Sequence, residues 1–87
     1  MRFLHWREHL NAGDVVRLDC DTQCNFMLTD DSNFSAFQHR ESFRYYGGFF
    51  KRFPAAIAAP GSGYWNITID LAGGSASIRY GLSILRN

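Results

Sequence analysis

The sequence predicts one small antiparallel β-sandwich or barrel-like domain, with about seven or eight short strands, that spans residues 1–87. Apolar and polar residues alternate with a period of two through most of the chain, which is typical of half-buried strands. Turn-forming residues recur about every ten positions, as they do in small all-β domains. Hydrophobic residues make up 46% of the chain and aromatic residues 16%, so a domain of this length can bury a core.

The first part of the chain predicts three strands. Residues 3–6 form a short apolar run, and Gly13 lies in the turn that follows it. In residues 14–20, and again in residues 24–29, every second side chain is apolar and the intervening ones are mainly polar. We expect these two strands to pair as a hairpin around residues 21–23.

The middle of the chain is less regular. Residues 30–33 are Asp-Asp-Ser-Asn, whose side chains hydrogen-bond their own backbone and favour turns. Phe34 and Phe37 follow at a spacing of three, which fits either one helical turn or two anchors of a loop. We expect extended structure at residues 43–46 and another strand within residues 49–59. No window supports a packed helix of ordinary length.

The last third of the chain predicts two well-patterned strands. Residues 60–63, Pro-Gly-Ser-Gly, are the strongest turn signal of the sequence. Residues 65–71 then alternate between an apolar face and a polar face that we expect to be solvated. Residues 72–75 predict a further turn, and the final strand alternates from residue 76 to residue 84.

The charge balance gives no general attraction to nucleic acid or to an anionic membrane, because the formal net charge is only +1. No apolar stretch approaches the roughly 20 residues that a membrane helix needs. The N-terminus carries charges and histidines where a secretory signal carries an apolar segment. We therefore expect a cytoplasmic protein that has no membrane partner.

Cys20 and Cys24 are separated by three residues. Cytoplasmic thiols are usually reduced, and a zinc site usually has four ligands, of which two cysteines supply half. We therefore favour buried free thiols over a disulfide and over a metal site. We expect no metal and no other cofactor.

Aromatic and basic residues are concentrated in residues 34–53, where eight positions are aromatic. Rings and cations together can bind single-stranded nucleic acid by stacking and by phosphate pairing. The aromatic strand of RNA-recognition motifs has glycine directly after its basic residue, where this chain has Tyr45, and that fold needs two amphipathic helices. We therefore favour rings that alternate between core and surface. A stacking platform for some ligand comes second, and nucleic-acid binding is least favoured.

Residues that could carry catalysis or bind a metal are few. Asp30, Asp31 and Asn33 offer the oxygen ligands that Ca²⁺ prefers, but the calcium-loop spacing and its distal glutamate are missing. A turn whose side chains cap backbone N–H groups is the favoured interpretation. His39 lies far from His5 and His9, and no nucleophile, phosphate-loop or paired-carboxylate motif accompanies the three histidines. We expect no enzyme activity and no catalytic residue.

Gly47 and Gly48 separate two pairs of aromatic residues. Adjacent glycines permit either a corner between two sheets or the close approach of another backbone. We favour the corner, and we keep the hypothesis of a concave binding site whose floor is this backbone. The candidate ligand-binding residues are Asp31, Asn33, Arg44, Tyr45, Tyr46, Gly47, Gly48 and Arg52. Their hydroxyls, backbone groups and cations suit a small polar or anionic molecule, or a segment of another protein.

Several short motifs, each present once, follow one another along nearly the whole chain. They are Arg2-Phe-Leu-His5, Gly13-Asp-Val-Val16, Leu28-x-Asp-Asp-Ser-Asn-Phe34, Tyr45-Tyr-Gly-Gly48, Pro60-x-Ser-Gly63 with Trp65, and Ile69-Asp-Leu-x-Gly73. With these motifs the chain resembles the bacterial family called domain of unknown function 1883. The resemblance implies a compact all-β domain, found alone or joined to signalling domains of the TIR type. It implies no activity, substrate or catalytic residue.

The favoured function is therefore a non-catalytic binding or protein-interaction module of the bacterial cytoplasm, with a link to signalling through the family. The alternative is a structural domain that self-associates through exposed sheet edges to form a homo-oligomer. Binding of single-stranded nucleic acid is the third and least favoured hypothesis.

Overall fold

Seven β-strands and one α-helix make up the described part of the chain, which comprises residues 3–71 and 78–87 of the computed structural model. In chain order the elements are β1 (Phe3–Leu10), β2 (Val15–Cys20), β3 (Cys24–Thr29), α1 (Asp31–Gln38), β4 (Tyr46–Phe50), β5 (Ala55–Ala58), β6 (Gly63–Asp70) and β7 (Tyr80–Leu85). The predicted turn at residues 72–75 and the predicted first residues of the last strand, 76 and 77, lie outside the described residues.

The strands form two antiparallel sheets that pack face to face. One sheet has four strands in the order β1-β6-β3-β4, and the other has three strands in the order β5-β2-β7. Each neighbouring pair is antiparallel. The prediction of a small antiparallel β-sandwich is confirmed, and the two sheets formed by the described residues do not close into a barrel.

The inner faces of the two sheets enclose the main hydrophobic core. Its fully buried members are Leu10, Val16, Leu18, Cys24, Phe26, Leu28, Ile67 and Ile69. Within each strand they occupy alternate positions, because successive side chains of a strand point to opposite faces of its sheet. Burying each large apolar side chain stabilises the fold by about 1.5–3 kcal/mol, so this layer is the main source of stability.

The predicted hairpin between residues 14–20 and 24–29 is wrong. β2 pairs with β5 and β7, whereas β3 pairs with β4 and β6, so residues 21–23 carry the chain from one sheet to the other. Alternation cannot distinguish the two arrangements, because a hairpin and a crossover turn the same side chains inward. Two hydrogen bonds of 3.1 Å hold the crossover near β7: Asp21 N–H donates to the Arg79 carbonyl, and Arg79 N–H donates to Asp21 Oδ1.

Residues 31–38 form a helix of two turns, where the sequence predicted a turn followed by one helical turn or a loop. Asp30 caps the helix, because its Oδ1 accepts the N–H of Asn33 at 2.8 Å. The helix packs against the outer face of the four-stranded sheet and forms a second, smaller core there. The residues of this core are Met27, Phe34 and Phe37, with Phe3 and Phe43 at its margin.

The helix also changes the environment of the polar face of β6, which the sequence predicted to be solvated. Asn66 and Thr68 lie on that face and are each only 1% exposed. That expectation is therefore wrong for these two residues. Covering by a helix is a tertiary effect that the alternation of one strand cannot reveal.

The first strand is longer than predicted, since β1 extends from Phe3 to Leu10 and pairs with β6 along its whole length. Its second half was missed because Arg7, Glu8 and His9 are polar and exposed at a sheet edge. No helix of the described residues is long and apolar enough to cross a membrane.

Candidate functional site

The N-terminus of α1 and the segment that leads into β4 lie side by side. Oδ1 of Asn33 accepts the backbone N–H of Arg44 at 2.8 Å, and Nδ2 of Asn33 donates to Oδ1 of Asp30 at 3.0 Å. Asn33 is thus held at both ends of its amide group. Each polar atom of this side chain already has a partner within the protein. We therefore interpret Asn33 as a residue that fixes the local backbone.

Asp31 is engaged in a network that joins α1 to the edge strand β1. Its carboxylate accepts two hydrogen bonds from Arg7, at 2.8 and 3.0 Å, and its Oδ1 also accepts Nδ2 of Asn66 at 2.8 Å. The hydrogen bonds from Arg7, followed by that from Asn66, lower the pKa of Asp31 to about 2. Asp31 is therefore an attachment point of the helix, with few acceptor sites left for a ligand.

The network continues from Asn66 to His5. Asn66 uses its Nδ2 as a donor to Asp31 and to the Thr29 carbonyl, so its Oδ1 accepts a hydrogen bond from Nε2 of His5 at 2.8 Å. The imidazole of His5 is also stacked on the ring of Phe34, with centroids 4.0 Å apart and planes 11° apart. These contacts fix His5 between β6 and the helix. Sequence reasoning missed Arg7, His5 and Asn66, because only the pairing of β1 with β6 brings them together.

The two candidate tyrosines point away from each other. Tyr45 contacts Phe43 on the helix side, with ring centroids 5.3 Å apart, whereas Tyr46 contacts Trp65 beside the main core at 5.9 Å. Each is 49% exposed. The single concave site with both tyrosines as its walls is therefore not formed.

Gly47 has an architectural role in β4. Its φ is +105°, and a Cβ atom at this position would collide with the carbonyl oxygen of Phe26 and with Cδ1 of Ile57. Gly48, with φ +148°, has open space around it. Gly47 is exposed on one side, and on the other side its backbone approaches the core too closely for a side chain.

Arg44 and Arg52, the two cationic candidates, are both exposed and belong to different connections. Arg44 precedes β4, and Arg52 lies between β4 and β5. Of the eight candidate residues, Tyr45 lines a cleft beside the helix.

That cleft, which we call the helix cleft, lies between the C-terminal end of α1, β3 and the segment before β4. Its volume is about 450 Å³. Its lining combines four apolar or aromatic side chains with four polar or charged ones. They are Met27, Phe37, Phe43 and Tyr45, with Asn25, Arg40, Glu41 and Asp70.

The end of α1 places two charged residues in the helix cleft. Arg40 N–H donates to the Phe37 carbonyl at 3.2 Å, and Glu41 N–H donates to the Ala36 carbonyl at 2.9 Å, which is the Schellman pattern of a helix end. Arg40 has φ +58°, in the left-handed region where glycine is the usual residue. Sequence reasoning missed both charged residues, because no glycine marks this helix end.

The whole-chain comparison agrees with the motifs described above. The family model "Domain of unknown function (DUF1883)" matches residues 1–87. The chain belongs to this family. The resemblance stated from the sequence motifs is therefore confirmed, and the DUF1883 domain described here is a small β-sandwich with a helix on its four-stranded sheet.

No curated protein and no solved structure gives a significant match to this DUF1883 domain. Its function is therefore argued from its own residues.

Proposed function

We propose that the domain is a non-catalytic binding module of the bacterial cytoplasm, linked to signalling, and that its ligand occupies the helix cleft. The observation that carries this proposal is the composition of that cleft. Ligand sites usually have volumes of roughly 300–1,000 Å³ and are lined by apolar and aromatic side chains with a few polar groups. The helix cleft, with its volume of about 450 Å³ and its mixed lining, agrees with that description.

The chemistry of the lining favours a small molecule with one apolar part and one anionic part. The rings of Phe37, Phe43 and Tyr45 offer aromatic surface to the apolar part. The guanidinium of Arg40, whose side chain is exposed, can bind a carboxylate or phosphate with two parallel hydrogen bonds. Glu41 and Asp70 at the same cleft select against ligands with a large negative charge.

The backbone of Arg40 supports a functional role for this residue. A non-glycine residue in the left-handed region costs on the order of 1 kcal/mol compared with glycine. Such residues persist where the surrounding structure enforces them, and they are frequent at binding sites. An arginine at the helix end therefore provides a ligand group at the expense of stability.

The two thiols support binding in preference to covalent catalysis. Burial, together with the neighbouring Cys20, raises the pKa of Cys24 to about 12, so that this thiol stays protonated at neutral pH. Cys20 is partly buried against the core and donates to the Thr22 carbonyl at 3.2 Å. Both lie outside the helix cleft.

A ligand screen read by melting temperature tests the proposal. We expect small amphipathic anions to raise the Tm of the wild type, and we expect the shift to be lost in Tyr45→Ala and in Arg40→Gly. Tyr64→Ala is the matched control, because Tyr64 is a similarly exposed tyrosine outside the cleft. The proposal fails if the library gives no shift, or if both cleft variants keep the shift of the wild type.

A further inference from the structure

The two sheets of the sandwich differ in width. On one side β4 of the four-stranded sheet lies against β5 of the three-stranded sheet. On the other side Trp6 of β1 contacts Tyr80 of β7, with ring centroids 5.7 Å apart. Because one sheet has a strand fewer, the four-stranded sheet extends past β7, and β1 has no strand directly opposite it among the described residues.

A second cleft lies at this position, and we call it the seam cleft. Its volume is about 440 Å³. Its lining consists mainly of core side chains that are only partly covered, with one carboxylate among them. The residues are Trp6, Glu8, Ile67, Tyr80, Leu82, Ser83 and Ile84. The cleft is therefore the place that a fourth strand of the smaller sheet would fill.

The edge of β7 lacks the features that protect the other sheet edges. β1 carries the exposed charges of Arg7 and Glu8. β4 contains Gly47 with a positive φ, and β5 has four residues and directly follows Pro54. β7 (Tyr80–Leu85) has six residues without a charge, a proline or a residue of positive φ, and it pairs with β2 alone among the described residues. Such an edge is a template for a further strand.

We propose that β7 accepts an extended segment of a partner protein, which adds a fourth strand to the smaller sheet and fills the seam cleft. The backbone of the segment pairs with the edge of β7 that no described strand occupies, and its alternate side chains enter the cleft. Those side chains are apolar, because they meet Trp6, Leu82 and Ile84. A lysine or arginine of the segment pairs with Glu8, which is exposed at the cleft.

Two contacts limit the length of the segment. Nη1 of Arg86 donates to the carbonyl oxygen of His9 at 2.8 Å and connects β1 with the chain after β7. The contact of Trp6 with Tyr80 connects the same two strands nearer the start of β7. Residues 81–85 lie between the two contacts, so we expect a segment of about four residues, which spans roughly 13 Å when extended, to pair there.

A second copy of the domain is a poorer occupant than a single strand. Two β7 strands that pair in antiparallel fashion are related by a two-fold axis perpendicular to the sheet. Since β1 extends past β7 by one strand in each copy, this axis brings β1 of one copy to the place that β6 of the other copy occupies. With a strand spacing of about 4.8 Å, the overhang of β1 covers one added strand and excludes a whole sandwich.

Peptide titration followed by NMR tests the proposal. The probes are acetylated and amidated tetrapeptides that alternate valine with threonine and carry one lysine, with the lysine position varied across the set. We expect saturable shifts of the amide signals of Leu82, Ser83 and Ile84 at up to millimolar peptide. The matched control is the same peptide with N-methyl groups along one edge, which removes its donors to β7 and should abolish binding.

Variants of the domain separate this site from the helix cleft. We expect Glu8→Lys to weaken peptide binding about tenfold or more, because an attractive charge pair becomes repulsive. Glu41→Lys makes the same change in the helix cleft and should leave peptide affinity unchanged. The proposal is overturned if no peptide gives saturable shifts, if the shifts map to β4, or if Glu8→Lys binds as well as the wild type. It is also overturned if light scattering shows a dimer whose β7 amides are protected without peptide.

Discussion

The guanidinium of Arg7 donates to both carboxylate oxygens of Asp31, from Nε to Oδ1 at 3.0 Å and from Nη2 to Oδ2 at 2.8 Å. The same guanidinium lies over the ring of Tyr64, 4.2 Å from its centroid. An edge strand of the sheet and the first turn of α1 are thereby joined. A planar, two-bond pair fixes the orientation of the helix better than a single contact does.

Acid should weaken this attachment. The pKa of Asp31 in the folded protein is about 2, below its usual 3.8, so the carboxylate stabilises the fold above pH 3.8 and loses this effect as the pH falls toward 2. We expect the Tm of the wild type to fall over this range and that of Asp31→Asn to fall less. Part of the slope remains in the variant, because hydrogen bonds from the backbone of Asn87 and Asn11 lower the pKa of Asp14 too.

Thermal melts at a series of pH values measure this difference. Asp19→Asn, which changes an exposed carboxylate of β2, is the control for the loss of one surface carboxylate. Equal slopes for the wild type and Asp31→Asn would contradict the prediction.

The stability lost when a glycine is replaced by alanine should depend on the backbone conformation of that glycine and on the space around it. We expect Gly47→Ala to lower the free energy of unfolding by about 3 kcal/mol, from backbone strain and collision with Phe26 and Ile57 together. Gly48→Ala should cost about 1–2 kcal/mol, since its φ is strained but its surroundings are open. Gly61→Ala, in open space, should change stability by less than about 0.5 kcal/mol. Urea unfolding measures the stability of all three variants. Any other order of the three losses would refute the roles given to these glycines.

Arg40 should be replaceable by glycine with a gain in stability. We expect Arg40→Gly to raise the free energy of unfolding by about 1 kcal/mol, because the left-handed φ of +58° suits glycine. Gln38→Gly introduces the same residue at the last position of the helix and should lower it by up to about 0.5 kcal/mol. Both changes are measured by chemical denaturation. If Arg40→Gly destabilises the domain, its side chain makes a structural contribution that outweighs the strain.

A buried hydroxyl under the helix should be dispensable. Oγ1 of Thr68 is buried and has no hydrogen-bond partner among the described residues. We expect Thr68→Val to leave stability unchanged or to raise it by about 1 kcal/mol, because it removes an unsatisfied polar group without opening a cavity. Asn66→Leu, on the same face, breaks a satisfied network and should destabilise by about 2 kcal/mol. Calorimetry compares the two, and a marked loss in Thr68→Val would mean that the hydroxyl has a partner.

The sequence could predict the strands because their inward residues, such as Val16 and Leu18, alternate with exposed ones. It could not predict which strands are neighbours. Cys20 and Cys24 fall on the inward face in a hairpin and in a crossover alike, so the local pattern is the same for both.

The helix was missed for a different reason. It has eight residues, and Phe34 and Phe37 are its only buried ones, so its apolar stripe is too short to show a helical period. The residues that cap it, Asp30 and Asn33, favour turns equally well. Because the end of the helix is not predicted, nothing in the sequence indicates that Arg40 and Glu41 are neighbours of Tyr45. The contact of Asn33 with Arg44, in contrast, joins two segments that the sequence had placed in one candidate site.

The strand order has a consequence for how the domain acquires its structure. β1, β3, β4 and β6 lie in one sheet and β2, β5 and β7 in the other, so successive strands change sheet at five of the six connections. Each sheet combines strands from the first half of the chain with strands from the second half. We therefore expect slow, all-or-none folding governed by distant pairing, with no stable fragment that corresponds to half of the molecule.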